Sequence, residues 1–170
     1  MKALNEGLEI SISEASLEDL DAMVEIEQAS FSVPWSKKAF EAELQGNQFS
    51  VTLAARAEGP ADGLRPLLGY VCIWLVFDEL RFLNLAVLPQ SRRQDVASRL
   101  VGRAISVGLS NGARRALLEV RESNQAAQAL YSKMGFTVYA RRKSYYTNPD
   151  EDAILMSLDP LVDTIGQPAR

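Results

Sequence analysis

"LRFLNLAVLPQSRRQDVASRLVGRAISVGL", residues 80–109, decides the architecture. Its first half is apolar and β-prone and stops at Pro89, which removes a backbone donor and disfavours helix in the residue before it. Its second half carries Val96, Leu100, Val101, Ala104, Ile105 and Leu109 at spacings of three and four, one apolar face of an α-helix. A strand therefore runs through a short loop into a helix whose first N–H groups lack intrahelical acceptors, and such a junction attracts anions. Arg92 and Arg93 add positive charge at its mouth, and Gln94, Asp95, Val96 and Ala97 complete it.

Asp95 stands where a phosphate-cradling turn normally carries glycine. Aspartate tolerates the left-handed backbone region better than most residues, so the turn can survive. Its charge is the larger concern: a carboxylate about 5 Å from a phosphate charge costs about 1–3 kcal/mol at effective dielectrics between water and a protein surface. That is about tenfold to a hundredfold in affinity. The two arginines can offset the repulsion, or Asp95 can turn outward and cap the helix. Weakened anion binding is the expectation, and a loop that has lost its ligand is the alternative.

Upstream, a strand is expected over Leu8–Ile12, then a helix capped by Ser16 with Leu17, Leu20, Met23 and Val24 at helical spacing, ending near Ser30. "FSVPWS" (31–36) breaks the pattern at Pro34, and Ser36 can cap a second helix carrying Ala39, Phe40 and Leu44. "FSVTLAAR" (49–56) and "LLGYVCIWLVF" (67–77) read as strands on either side of a Gly/Pro-rich exposed loop over 57–66. Downstream, "RRALLEV" (114–120) reads as a strand and "NQAAQALYSKMGF" (124–136) as a helix. "FTVYARRKSYY" (136–146) and "AILMSL" (153–158) close the order as a strand pair, and 159–170 reads as a flexible tail. The order is that of an α/β (α+β) single domain with a mixed central sheet flanked by helices.

At 170 residues, 47% hydrophobic and 24% charged, the chain fits one domain with a sizeable core. A net charge of −4 argues against direct nucleic-acid binding and suits a basic protein or peptide partner. With no histidine and a single cysteine, Ser-His-Asp and Cys-His catalysts and an internal disulfide are excluded, and no metal site is expected. Carboxylates, tyrosines, lysines and backbone groups remain for catalysis. Cys72, in an apolar run, reads as buried filler, with a redox thiol as the alternative. No stretch has the apolar length of a signal peptide or a bilayer span, so neither a membrane association nor a location other than the cytoplasm is expected.

The run from Phe82 to Phe136 resembles the GNAT superfamily of acetyl-CoA-dependent N-acetyltransferases. In that family the loop reads Q/R-x-x-G-x-G/A and its amides hold the pyrophosphate. Arg92 matches the first position and Ala97 the last, with Asp95 at the first glycine. "LLEVRESNQAAQALYSKMGF" (117–136) is similar to the RimI subgroup through Glu119, Asn124, Ala127, Tyr131, Gly135 and Phe136, as are "FSVPWS" and the closing "YY" with "EDAILM". The resemblance covers about residues 8–158 and implies one GNAT domain there.

The resemblance implies direct acetyl transfer from acetyl-CoA to the N-terminal alanine of a small-subunit ribosomal protein, a basic substrate. Carried over by position, Glu119 is the general base, taking the proton of the amine through water, and Tyr131 protonates the leaving thiolate. The backbone around Leu85, Ala86 and Val87 polarises the acetyl carbonyl, Arg92–Ala97 hold the pyrophosphate, and Asn124 touches the pantetheine. Phe31, Pro34, Trp35, Tyr145 and Tyr146 line the peptide side, with Glu27 favouring a basic N-terminus. Each has a purely structural alternative: Glu119 a solvent-facing strand residue, Tyr131 part of an apolar helix face, Asn124 a helix cap, Pro34 and Trp35 a core plug. Two rival functions also remain open, a lysine or small-amine acetyltransferase and a non-catalytic GNAT scaffold with a degenerate CoA loop. Oligomeric state has no signal in the sequence.

Overall fold

Three side-chain caps set where helices begin. The Ser16 hydroxyl accepts the Glu18 N–H at 3.3 Å while the Asp19 carboxylate takes the Ser16 N–H at 2.9 Å, and the chain makes one 3-10 turn, Leu17–Asp19, before α1 (Leu20–Ser30). Ser36 accepts the Ala39 N–H at 3.2 Å to open α2 (Lys37–Gln45), and Asn124 accepts the Ala127 N–H at 3.1 Å to open α4 (Gln125–Lys133). The long helix after the loop is α3 (Val96–Ser110). The strands are β1 (Ile10–Glu14), β2 (Ser50–Ala57), β3 (Leu67–Val76), β4 (Glu79–Val87), β5 (Arg115–Arg121), β6 (Thr137–Tyr146) and β7 (Glu151–Leu158). These come from a computed structural model that describes residues 9–58 and 65–163.

The strands form one mixed sheet in the order β1-β2-β3-β4-β5-β7-β6, antiparallel except where β4 meets β5. Each face is covered by helices. On one, α1 and α2 lay Leu20, Met23, Ile26 and Phe40 over Tyr70, Cys72 and Ala86. On the other, α3 presses the anticipated stripe of Val96, Leu100, Val101, Ala104 and Ile105 onto Val71, Ile73, Leu80 and Phe82, beside Tyr131 of α4 and Phe136. Each fully buried Leu or Ile contributes about 1.5–3 kcal/mol, which makes this layer the main stabilising one. Cys72 is buried and its thiol is pushed up to about 12 by burial, so it is inert filler.

Several boundaries differ from the sequence reading, among them the closing strand, which begins at Glu151 and not at Ala153, and the last helix, which ends at Lys133. The first strand runs to Glu14, because the β2 partner reaches Leu53, and Leu8 lies outside the described residues. Phe77 is not in β3: Val76 pairs with Glu79, so Phe77 and Asp78 are the hairpin tip, with Phe77 at φ 53° and 98% exposed. Residues 159–163 are not all loose, since Leu161 is buried and its N–H donates to the Arg114 carbonyl at 2.6 Å. Most of the 57–66 loop and the end of the expected tail lie outside the described residues.

Candidate active site

The parallel pairing of β4 with β5 covers only Glu79–Phe82 against Arg115–Leu118, and beyond that point the strands form a fork. A bulge helps to open it. Cys72 pairs with Asn84 and Ile73 with Phe82, which leaves Leu83 as an extra residue that bends β4 at the fork. Past the bulge, the Leu88 N–H donates to the Leu68 carbonyl at 2.8 Å, and alternation along an antiparallel ladder then turns the amides of Asn84 and Ala86 toward β3. Those of Leu85 and Val87 face the gap. The expectation of three available amides is thus corrected at Ala86, whose N–H belongs to the β3 ladder. Gly69 allows this close pairing, since a Cβ there would sit 2.7 Å from the Ala86 carbonyl oxygen.

The loop before α3 keeps the geometry that its carboxylate put in question. Asp95 lies in the left-handed region, φ 64° and ψ 10°, followed directly by helical Val96, and a left-handed residue leading into a helix gathers N–H groups into an anion-binding nest. Arg99 makes the first helical bond, to the Asp95 carbonyl at 3.1 Å, so the amides of Val96, Ala97 and Ser98 precede the helical ladder. Asp95 does point outward, but it does not cap the helix. A capping aspartate needs an extended backbone; from the left-handed region the carboxylate reaches the Ser98 hydroxyl and stands 3.8 Å from Arg99.

The two arginines divide the work. Arg92 turns inward, its Nε donating to the Val87 carbonyl at 3.1 Å and its Nη2 to the Ser30 hydroxyl at 3.2 Å, which ties the end of α1 to the end of β4. Arg93, at φ 60°, is exposed, and Gln94 closes the loop by donating to the Gln90 carbonyl at 3.1 Å. Val96 is buried and Ala97 partly so, which leaves their backbone as the groups on offer. Asn124 spends its Oδ1 on the α4 cap and keeps its side-chain N–H groups.

Glu119 and Tyr131 flank the fork from opposite faces. Leu118 and Val120 point into the α3 side of the sheet, so Glu119, between them and first beyond the last β4 pair, points to the α1 side. It is exposed, stands 3.4 Å from Arg142 Nη1, and lies beside Tyr145, whose hydroxyl pKa its carboxylate raises. On the α3 side, the Tyr131 ring packs on Phe82, at the fork itself, with centroids 6.3 Å apart, and on Phe136 at 5.6 Å. Its hydroxyl makes no hydrogen bond to another described residue and is not sealed from solvent. Burial, then the neighbouring Tyr146, raise its pKa far above the ordinary tyrosine value.

Tyr145 reaches Glu119 because β6 is bulged. Arg142 pairs with Ala153 and Tyr146 with Glu151, so Lys143–Tyr145 carry the excess residues, and Ser144 turns left-handed at φ 46° with its N–H on the Asp152 carboxylate at 2.9 Å. Tyr145 and Tyr146 meet edge to face, Arg142 lies 4.9 Å over the Tyr145 ring, and Arg121 lies 4.3 Å over the Tyr146 ring. Sequence reasoning missed Arg142, whose only signal is its place in an unremarkable "ARRKS" run.

The segment 31–36 forms the other lip, where the Ser32 hydroxyl donates to the Asn148 carbonyl at 3.4 Å across the β6–β7 turn. Pro34 and Val33 are exposed on it, and Phe31 is half-buried. Trp35 is partly a plug, its ring 5.4 Å from that of Phe40. Glu27 is not open to a peptide: it is 1% exposed and hydrogen-bonded to Trp35, Tyr70 and Asn84, so its expected attraction for a basic N-terminus is overturned by burial.

Amides at a helix start suit a phosphate and gap-facing amides suit a carbonyl oxygen, as a nucleotide-linked acyl donor requires. The [ribosomal protein bS18]-alanine N-acetyltransferase of Escherichia coli (strain K12) is 35% identical over 150 residues, 87% of this chain and 96% of that protein. A Bacillus subtilis (strain 168) protein, provisionally named for the same activity, is 40% identical over 140 residues, 82% of this chain and 89% of its own. The crystal structure of the ribosomal-protein-S18-alanine N-acetyltransferase from Escherichia coli matches with a TM-score of 0.78 at 30% identity, covering 94% of this chain and 99% of that one. Arabidopsis thaliana NAA60 in complex with acetyl-CoA shares the fold, with a TM-score of 0.79 at 20% identity over 89% of this chain and 98% of its own. The acetyltransferase (GNAT) family model matches residues 20–136, from α1 past α4 and through both the fork and the loop before α3, and the chain belongs to that family.

Proposed function

We propose that this acetyltransferase moves an acetyl group from acetyl-CoA directly to the α-amine of an N-terminal alanine, with ribosomal protein bS18 as its protein substrate in the cytoplasm. The observation that carries the mechanism is the placement of Glu119 and Tyr131 on opposite faces of the fork, with the Leu85 and Val87 amides between them. The similarity to bS18-alanine N-acetyltransferases supports the substrate.

The amides of Val96, Ala97 and Ser98, with Arg93, would hold the pyrophosphate, and the Asn124 side-chain N–H groups the pantetheine arm. Acetyl-CoA supplies an acetyl group already activated as a thioester. The gap-facing Leu85 and Val87 amides polarise its carbonyl oxygen. Glu119, on the peptide side, draws the proton from the incoming ammonium through water, because an α-amine of pKa about 8 is mostly protonated at neutral pH. Tyr131, protonated throughout the neutral range, donates to the sulfur as it leaves. Cys72 is fully buried, which supports a single direct transfer over a covalent enzyme intermediate. The left-handed Asp95 supports a working loop over a degenerate one.

The loop reading has a direct test. Asp95→Gly removes an outward carboxylate and suits the left-handed backbone, so acetyl-CoA measured by calorimetry binds more tightly, by up to about tenfold. Asp95→Ala also removes the charge but adds about 1 kcal/mol of backbone strain, and its melting temperature falls.

The pH profile tests the acceptor. In Glu119→Gln, where no base takes the proton from the ammonium, kcat/KM for an alanine-starting peptide rises with a midpoint near the α-amine pKa of about 8 and stays level to about pH 10. No tyrosine limb cuts it off, because Tyr131 is raised well above that range and Tyr146 is pushed up to about 12, mainly by burial. A rate still climbing at pH 10 would point to a lysine-like acceptor instead.

A further inference from the structure

Three donors from three separate elements converge on Glu27 of α1. The Trp35 backbone N–H donates to Oε1 at 2.8 Å, Asn84 Nδ2 donates to Oε2 at 3.0 Å, and the Tyr70 hydroxyl donates to Oε2. A carboxylate accepts only, and it is the side chain that can satisfy all three donors together. It is also the one fully buried acidic residue among the described residues. Burying a carboxylate is unfavourable without such partners, and an apolar residue would fill the space with less penalty.

What the carboxylate joins gives it a use. Trp35 belongs to the segment 31–36, the lip that carries exposed Pro34 and Val33. Asn84 lies on β4 between the bulged Leu83 and the gap-facing amide of Leu85. A second line runs through the rings: Trp35 packs on Phe40 and Phe40 on Tyr70, both with centroids 5.4 Å apart, the latter edge to face. Resting on the acetyltransferase reading above, we propose that Glu27 is a positioning residue that fixes the peptide-side lip relative to the fork edge of β4, and thereby sets affinity for the acceptor peptide and not for the acetyl donor.

Glu27→Gln tests this with almost no change in volume. Glutamine has one acceptor oxygen, so it cannot serve Trp35 on one side and Asn84 with Tyr70 on the other. Asn84→Ala cuts the β4 side of the link without stranding the carboxylate from Trp35. Arg56→Gln is the control for general destabilisation, since its lost bonds run to Ser13 of β1 and to Asp19 before the start of α1, at the opposite end of that helix from the segment 31–36. The readouts are amide hydrogen exchange over 31–36, KM for an alanine-starting peptide, and the acetyl-CoA Kd from calorimetry.

In Glu27→Gln, exchange over 31–36 rises about tenfold or more, peptide KM rises about tenfold, and the acetyl-CoA Kd stays within twofold. Asn84→Ala moves in the same direction by about threefold. Unchanged exchange over 31–36 in Glu27→Gln overturns the proposal, as does unchanged peptide KM in an active enzyme. So does Arg56→Gln reproducing both effects at an equal loss of melting temperature, which would make the role merely structural. If the unaltered protein acetylates no alanine-starting peptide, the acceptor reading fails by itself, and the exchange result alone decides whether Glu27 holds the lip.

Discussion

Glu119→Gln lowers kcat/KM for an alanine-starting peptide by about a hundredfold at pH 7, within the usual range for losing a general base. The loss shrinks as pH rises. At pH 7 only about a tenth of an α-amine with pKa near 8 is free base, whereas at pH 9 most of it arrives deprotonated, so about tenfold of the loss is recovered and the remainder reflects the proton released on attack. The substitution is mild for the fold, because Glu119 is exposed and its contacts with Arg142 and Tyr145 lie at the surface. Initial rates at pH 7, 8 and 9 check it, alongside a melting temperature that moves by less than about 2 °C. A deficit constant across pH would assign Glu119 to binding or structure instead.

Tyr131→Phe lowers kcat by about a hundredfold and leaves acetyl-CoA affinity and stability nearly unchanged. Ordinarily a buried tyrosine loses a hydrogen bond on this change, but the Tyr131 hydroxyl makes none within the described residues. The ring and its contacts with Phe82 and Phe136 remain. Activity and stability therefore separate at this position. Single-turnover rates with calorimetric binding measure both, and a fall in kcat smaller than about threefold would remove Tyr131 from the proton path.

The fold was largely legible in the sequence because its signals are local. The period of α3 and the caps Ser16, Ser36 and Asn124 are short-range patterns, and the structure places helices where they point. The fork was not legible. It depends on where β4 stops pairing with β5 and on the bulge at Leu83, both products of register between distant segments. The same limit explains Glu27, which looks like a solvent-facing acid on α1 until Trp35, Tyr70 and Asn84 are brought to it. It also explains Arg142, which meets Glu119 only because β6 lies one strand beyond β5, across β7, within reach of a long side chain.

Asp95 shows a different kind of limit. The sequence identifies the position and the conflict, and residue chemistry identifies the left-handed conformation as tolerable. Whether the carboxylate then caps the helix depends on a backbone angle, and the left-handed value sends it to Ser98 instead.

The most direct measurement incubates the purified protein with acetyl-CoA and bS18 and locates the added acetyl group by tandem mass spectrometry. One acetyl group on the α-amine of the N-terminal alanine, absent when Glu119→Gln and Tyr131→Phe are combined, is the expected result. Acetylation confined to lysine side chains, or none under conditions where acetyl-CoA binds, would contradict the account.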